Sequence, residues 1–283
     1  MSALLPRLRR PHRRAVAYAL VASAVAAVVV AAAAVLPARS GTAPTATGPT
    51  TTEPALVGSL DNPAPLAAAT PSPSVSASPA PLLRMPGPVP SAGRGTFGYD
   101  DRTGPLLGRA GPLRRYRVAV ESGSGEDVRA FGIEVEQALA APDSWIGSGR
   151  LRLRQVPGNA PYDFTVYLAT PRTAGRMCAA GGVNIRVGGR PYTSCRAPGK
   201  VILNLDRWRT SVPHFVEVGV PLTVYRTYVV NHEVGHELGH RHERCPGRGR
   251  PAPVMMQQTL FLKGCVANPW PHLDGRRYKG PPL

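Results

Sequence analysis

The chain has 283 residues, with 34 Lys and Arg side chains against 17 Asp and Glu side chains, a formal net charge of +17. Its 32 prolines and 30 glycines together exceed a fifth of the residues, which excludes one globular unit over the whole length. So large a positive charge suggests nucleic acid or an acidic surface as partner, provided that one folded region carries it. The distribution of the charge along the chain therefore decides its meaning.

The first 36 residues predict a membrane topology. Five arginines lie within residues 7–14, and an uncharged run of 22 residues rich in Ala and Val extends from Ala15 to Leu36. Such a helix is about 33 Å long and spans a hydrocarbon core of about 30 Å, whereas a cleaved signal peptide has an apolar core of about 7–15 residues. By the positive-inside rule, residues 1–14 are cytoplasmic, 15–36 form an anchor, and the rest is extracytoplasmic. A long signal peptide and a secreted protein are the alternative.

The segment 37–96 is rich in Pro, Ala, Ser and Thr, as in the stretch TPSPSVSASPAP. Such a composition buries too little apolar surface to offset the entropy of ordering, and a proline-rich chain tends to be extended. We expect a disordered stalk over 37–96 that holds a folded domain away from the membrane.

Residues 97–283 have a globular composition and are numerous enough for one domain with a core. Apolar alternation predicts strands, and apolar residues at helical spacing predict two main helices, at 126–140 and 222–238. The predicted strands are 114–120, 151–156, 163–168, 182–187 and 200–204. This order predicts an α+β or α/β domain with one sheet, followed after Gly239 by turns and loops.

The four cysteines form two pairs that are close in sequence, Cys178 with Cys195 and Cys245 with Cys265. Disulfide bonds are favoured because the predicted topology places all four outside the cell. Three connectivities exist, and we predict pairing within each local pair, which stabilises by about 3 kcal/mol per bond in the loop-entropy model. A structural zinc site of four cysteines is the alternative, but no C-x-x-C spacing supports it.

The stretch 231–243 reads NHEVGHELGHRHE and has the spacing of a metal site. His232 and His236 are four residues apart and lie on one face of the predicted helix, where two imidazoles bind one Zn²⁺. Glu233 lies beside the first of them, where its carboxylate serves as general base toward a water molecule.

A third imidazole requires that the helix ends. On a straight helix His242 would be about 9 Å beyond the second ligand, so we predict that Gly239 takes a left-handed conformation and turns the chain back. Three imidazoles leave one coordination position open, as catalytic zinc sites do. An overlapping pattern of His236, Glu237 and His240 is the alternative, but it places Gly239 inside the helix and lacks a third ligand.

These residues resemble the metzincins, zinc metallopeptidases with three histidine ligands and a downstream methionine turn. The pattern H-E-x-x-H-x-x-G-x-x-H runs from His232 to His242, and Pro253–Met256 matches the turn. Met255 corresponds to the methionine that forms a floor below the imidazoles, with Met256 as second choice. The resemblance implies an α+β fold, a mixed sheet packed on two main helices, an active-site helix followed by a loop-rich part, and one catalytic Zn²⁺.

The whole domain also resembles an uncharacterised group of anchored or secreted proteins of high-GC Gram-positive bacteria. This resemblance covers about residues 114–271 and brings no substrate with it. The segments that carry it are AAGGVNIR, YTSCRAPGKVILNLDRW, YVVNHEVGHELGHRHERCPG and PAPVMMQQT. After the methionines come Gln257 and Gln258, not the tyrosine that some metzincins offer as an extra ligand.

Together these patterns predict an extracytoplasmic zinc metallopeptidase that hydrolyses peptide or protein substrates in the cell envelope, with Glu233 as general base. Tyr192 and Gln257 are candidates for a second group that stabilises the carbonyl oxygen. The alternative is a catalytically silent envelope-binding module with zinc as a structural staple. From residue 97 onward, 26 basic and 15 acidic residues leave a charge of +11. We expect no nucleic-acid partner, because no basic-aromatic motif occurs, and we expect a monomer.

Overall fold

The computed structural model describes residues 80–283. The strands are β1 (Phe97–Tyr99), β2 (Leu113–Glu121), β3 (Arg152–Gln155), β4 (Phe164–Ala169), β5 (Arg186–Val187), β6 (Arg190–Pro191), β7 (Cys195–Ala197), β8 (Lys200–Asn204), β9 (His272–Leu273) and β10 (Arg276–Arg277). The helices are α1 (Val128–Ala140), α2 (Pro171–Ala180), α3 (Leu205–Thr210), α4 (Pro213–Val216) and α5 (Leu222–Glu237). The predicted segments 1–14 and 15–36 lie outside the described residues. Within 80–283, no helix has the length and apolar character needed to cross a bilayer.

A mixed sheet of six strands forms the centre of the domain. Its order is β1–β2–β4–β8–β7, and β3 pairs with the first half of β2. The strands β3, β2, β4 and β8 are parallel, whereas β1 and β7 pair in the antiparallel sense. The strand β7 therefore ends the sheet on the side where α5 packs against β7 and β8.

Both faces of the sheet are covered, because side chains alternate along each strand. In β2, Tyr116 and Val118 contribute to the larger hydrophobic core, which includes residues of α1 and α5. Ala119, the residue after Val118, faces the other side of the sheet and belongs to a smaller core with Ala174 and Cys178 of α2. The predicted α+β architecture, with a mixed sheet packed against helices, is confirmed.

The element predictions hold best where the buried residues of an element are large and apolar. The strands β2, β3, β4 and β8 and the helices α1 and α5 are present, with bounds within two residues of those predicted. The predicted strand 182–187 is reduced to its last two residues, which form the β5–β6 hairpin. The prediction of two main helices missed α2. That helix buries small residues, among them Ala174, Gly175 and Cys178, so large apolar side chains at helical spacing do not mark it in the sequence.

The segment before β1 is attached to the domain by hydrogen bonds. The Met85 N–H donates to the Arg209 carbonyl (2.7 Å), and Arg94 N–H to the Ser122 carbonyl (2.9 Å). The Gly93 N–H donates to Thr170 Oγ1 at 3.0 Å. The prediction of a disordered stalk is therefore wrong for residues 85–96, while 37–79 lie outside the described residues. The physical reason is that backbone hydrogen bonds, which leave no apolar pattern in the sequence, attach this segment.

Two disulfide bonds join the cysteines as predicted. Cys178 on α2 pairs with Cys195 on β7, and Cys245 pairs with Cys265 in the loop-rich part after α5. The first bond ties the end strand of the sheet to α2, and the second closes the loop that contains the methionine turn. All four cysteines are used, so the alternative of a four-cysteine zinc site is excluded.

Candidate metal centre

Helix α5 carries the first two histidines of the predicted site and ends before the third. The N–H of Gly239 donates to the carbonyl of His236, and Gly239 has a φ of +92°. The N–H of His240 donates to the carbonyl of Gly235. These two bonds form a Schellman motif, which favours glycine because its left-handed residue carries no Cβ atom. The helix break therefore lies at the predicted residue.

The imidazoles of His232, His236 and His242 converge at this end of α5. One nitrogen from each ring lies within 4.8 Å of the other two, and the two Nε2 atoms of His236 and His242 are 3.0 Å apart. Ligands about 2.0–2.1 Å from a tetrahedral zinc ion lie about 3.3 Å from each other, so the pair of Nε2 atoms has nearly the spacing of a filled site. Within residues 80–283, this is the one group of His, Cys, Asp and Glu side chains that could hold a metal ion.

Backbone carbonyls orient two of the rings. Nδ1 of His232 lies 2.8 Å from the Val254 carbonyl, and Nδ1 of His236 lies 2.8 Å from the His240 carbonyl. Because a carbonyl only accepts hydrogen bonds, each Nδ1 carries the proton and each Nε2 presents a lone pair. Such contacts fix the tautomer and orientation of metal-binding histidines.

Burial keeps the three imidazoles neutral, which is the form that binds metal. It lowers the pKa of His232 well below its ordinary value and also lowers the pKa of His236. Burial lowers the pKa of His242 to about 4. Three neutral nitrogen donors, with their lone pairs turned toward one point, fit Zn²⁺.

Glu233 follows the first histidine and differs from the other buried acids of the domain. Its side chain is 5% exposed, and it lines the same cleft as the imidazoles. In the part of the chain that the structure describes, the carboxyl group has no ion-pair or hydrogen-bond partner, and burial raises its pKa to about 8. A carboxyl group that lines an open cleft and has such a pKa can take up and release a proton near neutral pH.

The overlapping pattern of His236, Glu237 and His240 does not assemble. The Glu237 carboxylate instead accepts hydrogen bonds from Arg196 Nε (2.6 Å) and from the Gly199 N–H (3.3 Å). The His240 ring stacks on the indole of Trp145, with ring centroids 4.2 Å apart. These partners hold both side chains apart from the three converging imidazoles, so the first register is favoured.

Met255 lies in a tight turn that packs against α5. The turn is closed by a hydrogen bond from the Met256 N–H to the Pro253 carbonyl (2.9 Å), and Met255 is fully buried. A Cβ atom on Gly235 would lie 2.5 Å from the Met255 sulfur and 2.6 Å from the Trp145 ring. The glycine in the H-E-V-G-H sequence is thus required for the close approach of the turn to the helix.

The imidazoles face a cleft of about 460 Å³ between β7 and the loop after the methionine turn. Of the two candidates for stabilising the carbonyl oxygen, Gln257 lines this cleft. Tyr192 is not among the lining residues, and its ring instead contacts the Arg207 guanidinium, 4.4 Å from the ring centroid. That candidate is therefore wrong.

Sequence reasoning missed most of the cleft walls. The missed polar residues include Thr193, Ser194, Arg196, Arg241 and Thr259. Arg241 could have been predicted from the sequence, because it lies inside the histidine motif, directly before His242. The other four gave no signal, because only sheet pairing and loop packing bring them beside α5.

The family comparison covers the whole site. A family model described as "Protein of unknown function (DUF3152)" matches residues 83–272, more than half of the chain. The match includes the three converging histidines, the methionine turn and both disulfides, and it confirms the expected resemblance to an uncharacterised domain. Searches of curated proteins and of solved structures found no match. The chain therefore belongs to the DUF3152 family of proteins of unknown function, and its histidine cluster lies within the domain that defines that family.

Proposed function

We propose that this domain is a zinc-dependent peptidase of metzincin type. The observation that carries the proposal is the convergence of three imidazole nitrogens beside an unpartnered glutamate in an open cleft. Imidazole donors with an open side are typical of catalytic zinc sites, whereas structural sites use four protein ligands. His232, His236 and His242 would hold the ion. A bound zinc ion would lower the pKa of a water molecule and polarise the scissile carbonyl group.

Glu233 has the properties that a proton carrier in peptide hydrolysis needs. Its carboxylate accepts the proton of the attacking water at Oε and later donates that proton to the leaving amine. A raised pKa holds the proton between these two steps, and a nearby divalent cation favours the charged form that begins the cycle. No hydrogen bond from the described residues has to break first.

Two further features support the metzincin assignment over a generic pair of histidines. The Schellman motif at Gly239 is the device by which the third ligand reaches the first two. The buried turn with Met255 packs against the same helix, and the carbonyl of Val254 in that turn orients His232. The sequence from His232 to Met255 thus supplies ligands, helix end and supporting turn.

The proposed setting is the extracytoplasmic side of a membrane, with peptide or protein substrates of the cell envelope. Two disulfide bonds support an oxidising compartment. The anchor proposed for residues 15–36 rests on the sequence pattern alone. A catalytically silent module with a zinc staple is the alternative, but a staple does not need a free carboxyl group in its cleft.

The test replaces Glu233 with glutamine in the purified full chain and measures both zinc content and cleavage of a fluorogenic peptide library. We expect zinc content near that of the wild type and cleavage reduced by about 10²–10⁴-fold, the usual contribution of a general base. Glu217→Gln is the matched control, because Glu217 is exposed and does not line the cleft. Undiminished cleavage by Glu233→Gln would contradict the role proposed for this carboxylate.

A further inference from the structure

A second hollow, of about 360 Å³, lies beside the cleft in the loop-rich part of the domain. Gln257 lines both the hollow and the cleft, so the two share a wall. Cys245, Met256 and Phe261 give the hollow apolar lining. Part of its lining, Glu243 to Cys245, directly follows His242 in the sequence.

The rim of this hollow is strongly basic. Arg244, Arg248 and Lys263 all line it, and all three are exposed. Among residues 80–283, none of the three forms an ion pair with a side-chain carboxylate. Lys263 Nζ lies 4.4 Å from the centroid of the Phe261 ring, which also lines the hollow, so a cation–π contact holds that ammonium group at the rim.

The negative groups near the hollow do not cancel this charge. The Glu243 carboxylate accepts hydrogen bonds from Arg277 (3.0 Å) and from the Gly280 N–H (3.2 Å), and its side chain is only 11% exposed. No other Asp or Glu side chain of the described residues lines the hollow. The hollow therefore keeps a net positive charge.

The cleft also contains a positive charge without an acidic partner. Arg196 donates to the Glu237 carboxylate at 2.6 Å, and Arg114 lies 3.6 Å from the other oxygen of the same group. Arg241 lines the cleft, is exposed, and forms no ion pair within the described part of the chain. Unpaired cations thus line both the cleft and the hollow, which share Gln257.

We propose that the hollow binds acidic side chains of a polypeptide whose neighbouring peptide bond lies in the cleft, so that the substrate class is acidic polypeptide. This inference rests on the proposed peptidase function for its link to cleavage. Guanidinium groups bind carboxylates in bidentate geometry, and the apolar lining suits the methylene groups of glutamate. A polypeptide is favoured over other polyanions because the hollow shares a wall with the cleft in which a peptide bond would be cut.

The test measures binding apart from cleavage. The zinc-loaded full chain carrying Glu233→Gln is titrated against fluorescent hexaglutamate, hexaglutamine and hexalysine at about 50 mM salt, where screening is weak. We expect hexaglutamate to bind at least about tenfold more tightly than the other two peptides, as complementary charge dictates. Adding Arg244→Gln, Arg248→Gln and Lys263→Gln should weaken hexaglutamate binding by about tenfold or more.

A matched triple variant separates a local site from the overall positive charge. Arg109, Arg129 and Arg150 are exposed arginines outside both cavities, and their replacement by glutamine removes the same total charge. We expect this control to weaken binding by less than about twofold, because Coulomb attraction falls with distance and these three arginines line neither cavity. Equal losses in the two triple variants, or tight binding of inorganic polyphosphate with none of hexaglutamate, would overturn the proposal.

The outcomes also separate this inference from the function on which it rests. Suppose that the wild type cleaves no peptide, while the triple variant of Arg244, Arg248 and Lys263 binds hexaglutamate more weakly and the control triple variant does not. The peptidase function then fails and the site for acidic side chains stands. Suppose instead that the wild type cleaves library peptides and the triple variant of Arg244, Arg248 and Lys263 keeps its affinity for hexaglutamate. The site for acidic side chains then fails and the peptidase function stands.

Discussion

Two buried glutamates show how differently one residue type is treated in this domain. Glu121, at the end of β2, accepts hydrogen bonds from the N–H groups of Gly95 and Thr170 and from the hydroxyls of Thr170 and Thr173. Glu233 has no such partner among the described residues. Burial raises the pKa of both, but at Glu121 the hydrogen bonds outweigh burial and leave the pKa below its ordinary value, whereas at Glu233 it reaches about 8.

This difference separates a carboxylate that holds the fold from one that is available for chemistry. Glu121 joins the segment before β1 to the start of α2, so its charge is used within the structure. An unpaired buried carboxyl group costs stability, and such a cost is typical of functional sites. The predictions below test whether the two sites respond in opposite ways.

The largest effect is expected from removing the third imidazole beside Glu233. His242→Ala leaves two protein ligands. Zinc affinity should fall by more than about 100-fold, because losing a ligand costs more than losing a group that only hydrogen-bonds to a ligand. Elemental analysis and competition with a chelator measure it. His240→Ala is the control, because His240 stacks on Trp145 and does not belong to the cluster. Zinc loss in the control and not in His242→Ala would mean that the other register binds the metal.

Next in size is the stability effect at Glu121. Glu121→Ala leaves buried donors without an acceptor, and we expect the free energy of unfolding to fall by about 3 kcal/mol. Urea unfolding of the full chain measures it. Glu217→Ala, at an exposed site, should change the free energy by less than about 0.5 kcal/mol, and Glu233→Gln should not lower it because no hydrogen bond is lost. A loss at Glu233→Gln equal to that at Glu121→Ala would remove the contrast.

A smaller effect is expected at the contact between α5 and the methionine turn. Gly235→Ala inserts a methyl group where the Met255 sulfur and the Trp145 ring leave no space, which should cost about 1–3 kcal/mol by overpacking. Thermal unfolding and zinc affinity measure the cost. Gly98→Ala is the control, since no atom lies within 4 Å of a Cβ atom there. If the two variants unfold alike, the helix and turn do not pack as described.

The pH dependence of stability sharpens the comparison further. Because the folded-state pKa of Glu121 is lowered, its stabilising contribution is complete above the ordinary glutamate value of about 4.3 and is lost as pH falls through the folded-state value. Urea midpoints between neutral and acidic pH should therefore fall less steeply in Glu121→Gln than in the wild type. Parallel curves for the two proteins would show that Glu121 does not supply this dependence.

The smallest effect is expected at the end of α5. Gly239→Ala places a Cβ atom at a φ of +92°, in open space but with unfavourable backbone geometry, so the cost should be about 1 kcal/mol. Gly239→Asn should cost less, since asparagine tolerates left-handed conformations. Thermal unfolding measures both. Equal stability of the alanine variant and the wild type would contradict the described helix end.

The sequence predicted those parts of the site that depend on local chain geometry. Helical spacing brings His232 beside His236, and the glycine at 239 signals the helix end that returns His242. The partners of Glu121 could not be predicted, because Gly95 and Thr170 meet it only through long-range folding. Long-range packing also explains why the position of Tyr192 and the basic hollow were not predicted.

The central claim is that a zinc ion held by the three imidazoles makes this domain a peptidase. The most direct measurement is the metal content of the purified full chain together with cleavage of a fluorogenic peptide library before chelation, after chelation and after zinc is restored. We predict one zinc ion per chain, loss of cleavage with the chelator, and recovery with added zinc. A chain that binds no zinc, or cleavage that persists without metal, would contradict it.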